Sequence, residues 1–111
     1  MSELTELQET LVECNKRAEL KKAVERLMLN PDFKKVIQEG YIEQEMQRHL
    51  SLAICDKLSS EDRELNNNLA KSAVALSNYL DTTIQFGRIA EEDIEQINER
   101  IEQLTAQGMD E

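Results

Sequence analysis

Apolar positions recur at steps of three and four residues over most of this chain, a spacing typical of amphipathic helices. The pattern is interrupted clearly at two places, Asn30-Pro31-Asp32 and Ser59-Ser60-Glu61-Asp62. Asn and Ser are preferred caps at the start of a helix, and proline is tolerated in the first helical turn. We therefore predict three helices, at about residues 2–29, 31–57 and 60–107.

The third segment carries the longest regular pattern. Its apolar positions alternate steps of four and three through about five repeats, which predicts a coiled-coil-like seam: Leu69, Ala73, Leu76, Leu80, Thr83, Gly87, Ala90, Ile94, Ile97, Ile101 and Leu104. A helix over residues 60–107 would be about 70 Å long. The small residues Thr83 and Gly87 predict either the close approach of another helix or a kink. Gly40 is a second candidate for a close helix crossing.

The connections between the predicted helices indicate how the helices pair. The short connection at residues 57–60 favours antiparallel packing of the second helix against the first half of the third. We predict an all-α helical hairpin with a long C-terminal coiled-coil-like helix, in a single elongated domain over residues 1–111. The second half of the seam can pair with the first helix, with a second copy of the chain or with another protein, and the pattern leaves these alternatives open.

The overall charge excludes several classes of partner. The 111 residues carry a formal net charge of −10, whereas nucleic-acid binding requires basic side chains that displace phosphate counterions. The same charge argues against anionic membrane surfaces, and no apolar run approaches the roughly 20 residues that span a bilayer. Glutamates near the N-terminus are unlike a secretory signal. We therefore expect no nucleic-acid or membrane partner, and a location in a cytoplasm or inside a particle assembled there.

Charge is also segregated along the sequence. A basic belt precedes and follows Pro31, and it comprises Lys16, Arg17, Lys21, Lys22, Arg26, Lys34 and Lys35. Acidic residues dominate after residue 90, and the start of the first helix is also rich in glutamate, so we expect repulsion wherever these two stretches pair. The belt either contacts an acidic stretch of another molecule or is a solvated face. We predict these partner-binding residues: Ile94, Ile97, Ile101, Leu104, Lys21, Lys22 and Arg26.

Candidate catalytic chemistry is sparse. Glu45 and His49 have the helical spacing that metal sites of helical bundles use, but a second histidine is missing. There is no glycine-rich phosphate loop and no nucleophile elbow. Cys14 and Cys55 have no metal-binding spacing, and we expect them to be reduced, small apolar residues. We therefore predict a protein that is not an enzyme and that holds no metal or other cofactor.

Two stretches resemble a known group of proteins. They are Arg26-Leu27-Met28-Leu29-Asn30-Pro31-Asp32-Phe33-Lys34-Lys35-Val36-Ile37-Gln38-Glu39-Gly40-Tyr41 and Leu80-Asp81-Thr82-Thr83-Ile84-Gln85-Phe86-Gly87-Arg88-Ile89-Ala90-Glu91. Both are similar to patterns in small acidic helical proteins of tailed bacteriophages, which are encoded among particle-assembly genes. The resemblance spans residues 26–96 and implies a virion component or assembly factor. It draws attention to Asn30, Asp32, Phe33, Gly40, Tyr41, Gln85 and Gly87.

The expected function combines the charge, the helical pattern and this resemblance. It is that of a phage structural or assembly accessory protein, which forms a homo-oligomer through its helices and docks on a larger virion protein. The alternative is a small acidic inhibitor that binds a host enzyme by offering a charge like that of DNA.

Overall fold

The computed structural model describes residues 2–108, and over that range the chain is all-α without a strand. Helix α1 spans Glu3–Leu29. The second helix comprises α2 (Pro31–Phe33), a π-helical segment (Lys34–Glu45) and α3 (Met46–Ala53). Helix α4 spans Ser60–Ala106. The prediction of three helices ending in a long one is confirmed.

Short polar side chains begin the helices, as the sequence predicts. Ser2 Oγ accepts the Thr5 N–H at 3.1 Å, and Ser59 Oγ accepts the Asp62 N–H at 3.1 Å. Asn30 Oδ1 accepts two N–H groups at 2.9 and 3.1 Å, just before Pro31. These bonds satisfy donors that have no partner inside the helix, which fixes where each helix starts.

The second helix differs from the prediction at its end. It stops at Ala53 instead of residue 57, because Ile54 leaves the helical conformation with φ −108° and ψ 9° and is 81% exposed. Two tight turns follow, in which the N–H groups of Cys55 and Leu58 bond to carbonyls three residues earlier. With no burial at Ile54 to stabilise another helical turn, the chain reverses here.

The π-helical segment was not predicted. At its end the Met46 N–H reaches the carbonyl of Tyr41, five residues earlier. A Cβ at Gly40 would lie 3.1 Å from the carbonyl oxygen of Lys35, also five residues earlier, and no atom of another described helix lies within 4 Å of that point. The close crossing predicted at Gly40 is therefore wrong: the glycine relieves crowding within its own helix.

The chain divides into two compact units. Unit 1 consists of residues 1–25 and 82–111, as far as they are described, and unit 2 of residues 26–81. The single-domain organisation stays a prediction, because α4 contributes to both units.

In unit 1, α1 and the second part of α4 pack antiparallel. Glu3 bonds to Arg100, while Lys21 pairs with Glu91. Cys14, Ala90 and Ile97 form the buried cluster, and four half-buried side chains pack against it: Leu7, Leu11, Ile94 and Ile101. Burial of this apolar surface is the main force that holds the pair together. The predicted hairpin packing of the long C-terminal helix is confirmed.

In unit 2, the core is small. Its buried hydrophobic side chains within α4 are Ala70, Ala73 and Leu80. Ala70 lies outside the predicted seam, whereas the seam residue Leu69 is 39% exposed. The buried face of α4 in this unit is therefore rotated relative to the heptad pattern, and the predicted inward position of Leu69 is wrong.

Candidate protein-binding surfaces

Lys21 joins the two helices of unit 1. Its Nζ lies 2.8 Å from Glu91 Oε1 and 3.3 Å from Glu25 Oε1, and its side chain is only 12% exposed. The hydrogen bond to Glu91 raises the pKa of Lys21, and the same bond lowers the pKa of the Glu91 carboxyl. A member of the predicted basic belt thus meets the acidic stretch of its own chain.

Gly87 makes room for the stem of this lysine. A Cβ at residue 87 would overlap the Cβ of Lys21 and would lie 2.8 and 2.7 Å from its Cγ and Cδ. The prediction that a small residue here permits a close approach is confirmed, since the aliphatic part of Lys21 occupies the space. Long basic side chains commonly pack their methylene groups on apolar surfaces in this way.

A second ion pair lies nearer the ends of the two helices. Arg100 Nε donates to Glu3 Oε1 at 2.7 Å, and its Nη2 donates to Glu3 Oε2 at 3.2 Å. This fork of hydrogen bonds lowers the pKa of Glu3 and raises the pKa of Arg100. Lys21 and Arg100 both face acidic partners across the helix pair, so two ion pairs offset part of the repulsion expected between the acidic stretch and α1.

The four apolar residues that we predicted to bind a partner are buried or half-buried in unit 1. Ile97 and Leu104 are buried, at 9% and 1% exposure, and Ile94 and Ile101 pack on the buried cluster. In this structure the second half of the seam packs on α1 of the same chain. Partner binding at these positions stays a prediction, and it would require α1 to separate from α4.

The three basic residues of the predicted site all lie on α1, but they differ in how they are engaged. Lys21 is engaged by Glu91 and Glu25, as described above. Lys22 is exposed in unit 1, and Arg26 is exposed in unit 2. Of these three residues, Lys22 and Arg26 are the exposed ones that a partner could reach without disrupting an ion pair.

His49 links α3 to α4 within unit 2. Its Nδ1 lies 2.8 Å from Asn66 Oδ1. Asn66 Nδ2 donates to the carbonyl of Asp62 at 2.8 Å, which leaves Oδ1 as the acceptor and assigns the hydrogen to His49 Nδ1. His49 Nε2 lies 3.5 Å from Glu45 Oε2. Within residues 2–108, no group of three potential metal ligands is assembled.

Exposed apolar side chains are concentrated in unit 2. Nine large hydrophobic residues are exposed there: Leu27, Leu29, Val36, Leu50, Ile54, Leu65, Leu69, Val74 and Tyr79. The described residues of unit 1 expose four, Val12, Leu20, Phe86 and Ile89. Scattered exposed hydrophobics are normal, but contiguous ones mark sites of association.

Part of this surface forms a stripe along α4. We call Leu65, Leu69, Ser72, Leu76 and Tyr79 the outer stripe. Their steps are four, three, four and three, so they share one face of the helix. Leu65 and Tyr79 are each 55% exposed, and Leu76 is half-buried. The stripe was not predicted, because Leu69 and Leu76 also fit the register of the longer heptad seam.

The fold and these surfaces define a class of protein: over the described residues it is an all-α protein whose helices are joined by apolar packing and ion pairs. In comparisons with known proteins, no family model, no curated protein and no solved structure matches the chain. Within the described residues, no helix has the length and apolarity that crossing a membrane requires.

Proposed function

We propose that the chain is a non-enzymatic accessory protein of phage particle assembly, which oligomerises through its helices and docks on a larger virion protein. The observation that supports this proposal is the imbalance within unit 2. Nine large apolar side chains are exposed there, while the buried side chains of its α4 segment are two alanines and one leucine. Such a surface gains free energy when another protein removes it from water.

The charge of unit 1 indicates what the larger partner offers. Its sequence holds fourteen acidic and six basic residues. Three of the bases, Lys16, Lys21 and Arg100, already have acidic partners inside the chain. A basic surface on the larger protein would complement this excess and would accelerate docking by electrostatic steering. The resemblance in residues 26–96 supplies the phage setting of the proposal.

The proposal is tested by locating the protein during infection. Mass spectrometry of purified particles and of assembly intermediates should detect the chain at a fixed ratio to a structural protein. Absence from both would contradict the proposal. Recovery with a host enzyme instead, together with loss of that enzyme's activity, would support the acidic-inhibitor alternative, which the charge of unit 1 also favours.

A further inference from the structure

We propose that residues 34–45 act as a conformational switch, which exchanges the π-helical form for an α-helical form and thereby releases α3 from α4. The π-helical form is the one described above, with His49 bonded to Asn66. All residues of the switch lie in unit 2. The inference goes beyond the proposed function, and its test requires no partner.

The π-helical segment is unusually long for its kind. It contains 12 residues, whereas π-helical hydrogen bonds occur mostly as single-turn bulges inside α-helices, frequently at functional sites. None of its residues is buried, so no fully packed side chain fixes the π form. Seven of the 12 residues are lysine, glutamine or glutamate, which form α-helices readily. The α form is therefore accessible to the same residues.

Half-buried apolar side chains follow the period of the π form. Four of them lie at steps of four, five and four residues: Phe33, Ile37, Ile42 and Met46. Their mean spacing is about 4.3 residues, against 3.6 residues per turn in an α-helix. The wider helix therefore keeps all four on one face, which an α-helix does not.

A second apolar pattern in the same stretch fits an α-helix. The spacing i, i+3, i+4 and i+8 places four residues on one α-helical face: Phe33, Val36, Ile37 and Tyr41. In the π form Val36 is left out of the packing, at 62% exposure. The α form would bury Val36 and would give up Ile42 and Met46 instead.

The two forms turn α3 in different directions. At 100° per residue, an α-helix over the whole stretch places His49 about 160° away from Phe33, on the other side of the helix. In the described structure both side chains are half-buried, and His49 Nδ1 lies 2.8 Å from Asn66 Oδ1 of α4. That bond cannot persist through such a rotation while Phe33 stays packed. Conversion to the α form therefore frees α3 from α4.

Gly40 decides which form is favoured. A Cβ at this position would lie 3.1 Å from the carbonyl oxygen of Lys35, five residues earlier. This crowding belongs to the π form, in which the carbonyl five residues earlier accepts the hydrogen bond. Alanine is the best residue for the interior of an α-helix. Glycine therefore permits the π form, and alanine at this position disfavours it.

The first experiment follows the His49 ring by NMR. Nitrogen–proton spectra distinguish a ring that carries its hydrogen on Nδ1, as the bond to Asn66 requires, from a ring that is released. Gly40→Ala should raise the ratio of the α form to the π form about fivefold or more, because the π form is then overpacked. The His49 spectrum should move toward that of Asn66→Ala, in which the bond is absent. Gln44→Ala changes an exposed residue of the same segment and should leave the spectrum as in wild type.

The second experiment tests the alternative register. Val36→Gln alone should have little effect on the His49 spectrum, because Val36 is 62% exposed in the π form. Added to Gly40→Ala, it should return the His49 signal toward wild type, because the α form would have to bury a polar amide. Val36→Ile keeps an apolar side chain and should not restore the signal.

Two results would overturn the inference directly. One is a Gly40→Ala chain whose His49 spectrum equals that of wild type, and the other is restoration by neither or by both substitutions at residue 36. Circular dichroism completes the test. The helical signal should persist in Gly40→Ala, because the segment changes its type of helix and stays helical; a fall in this signal would show unfolding of the segment and would reject the switch.

Discussion

At the scale of single residues, the two interior glycines are required for different structural reasons. Gly40 relieves contact with the carbonyl of Lys35 in its own π-helical segment, and Gly87 admits the stem of Lys21 from another helix. A sequence shows only that glycine weakens a helix by about 1 kcal/mol relative to alanine. The neighbour that requires the glycine is a tertiary fact, so the sequence predicted close approach correctly at Gly87 and wrongly at Gly40.

We predict that Gly87→Ala destabilises unit 1, although the same change in an unobstructed helix would be stabilising. The new methyl group would overlap Lys21, and overpacking costs about 1–3 kcal/mol, which exceeds the gain in helix propensity. Urea unfolding followed by circular dichroism should show the lower free energy of unfolding. Gly40→Ala, with its milder 3.1 Å contact, should cost less; a Gly87→Ala variant more stable than wild type would contradict the assignment.

The His49–Asn66 hydrogen bond should be measurable as an interaction between two residues. We expect His49→Ala and Asn66→Ala to destabilise unit 2, with a coupling energy of about 1 kcal/mol in a double-mutant cycle. The bond at 2.8 Å joins two separate helices. Asn67→Ala replaces an exposed neighbour and should show no coupling with His49→Ala, so equal coupling for both asparagines would disprove the specific contact.

At the scale of the elements, local signals were sufficient for the helix starts. Ser2, Asn30 and Ser59 cap the helices because their side chains reach nearby N–H groups, which requires no distant partner. The π-helical segment and the rotated face of α4 depend on packing between helices. The pattern therefore predicted Leu80 as buried correctly, but it misplaced Leu69 and omitted Ala70.

The packing of α1 on α4 predicts a strong effect of charge in the buried cluster. Ile97→Asp should lower the helical circular dichroism signal and destabilise the chain by several kcal/mol, because an unpaired carboxylate would replace a side chain that is 9% exposed. Ile89→Asp alters a residue of the same helix that is 52% exposed, and its effect should stay within about 0.5 kcal/mol. Comparable losses for both variants would refute the predicted inward face of α4.

At the scale of the whole molecule, the fold class and the segregation of charge could be predicted from the sequence. The segment that packs against the acidic second half of the α4 seam could not. Arg100 and Glu3 lie 97 residues apart in sequence, so no local pattern could pair them. The partner-binding roles of Lys22 and Arg26 likewise depend on a second molecule and stay predictions.

The pH dependence of stability should reveal the Lys21–Glu91 pair. The folded-state pKa of Glu91 is lowered, so its contribution to stability is present above the ordinary glutamate range and is lost as the pH falls through the folded pKa. Wild type should be more stable than Glu91→Gln at pH 7, and the difference should shrink below about pH 4. Glu92→Gln, at an exposed position, is the control; a difference that is constant with pH would contradict the pair.

The fit of Lys21 between Gly87 and two carboxylates has a consequence for chemical reactivity. Acylating reagents attack the neutral amine, and a raised pKa together with 12% exposure makes that form of Lys21 scarce and hard to reach. Under limited acetylation, Lys21 should therefore be modified more slowly than Lys16, whose side chain is 68% exposed. Glu91→Gln should bring the acetylation rate of Lys21 closer to that of Lys16. The acetylation rate of Lys21 thus reports whether α1 and α4 are in contact, in dilute solution or inside an assembled particle.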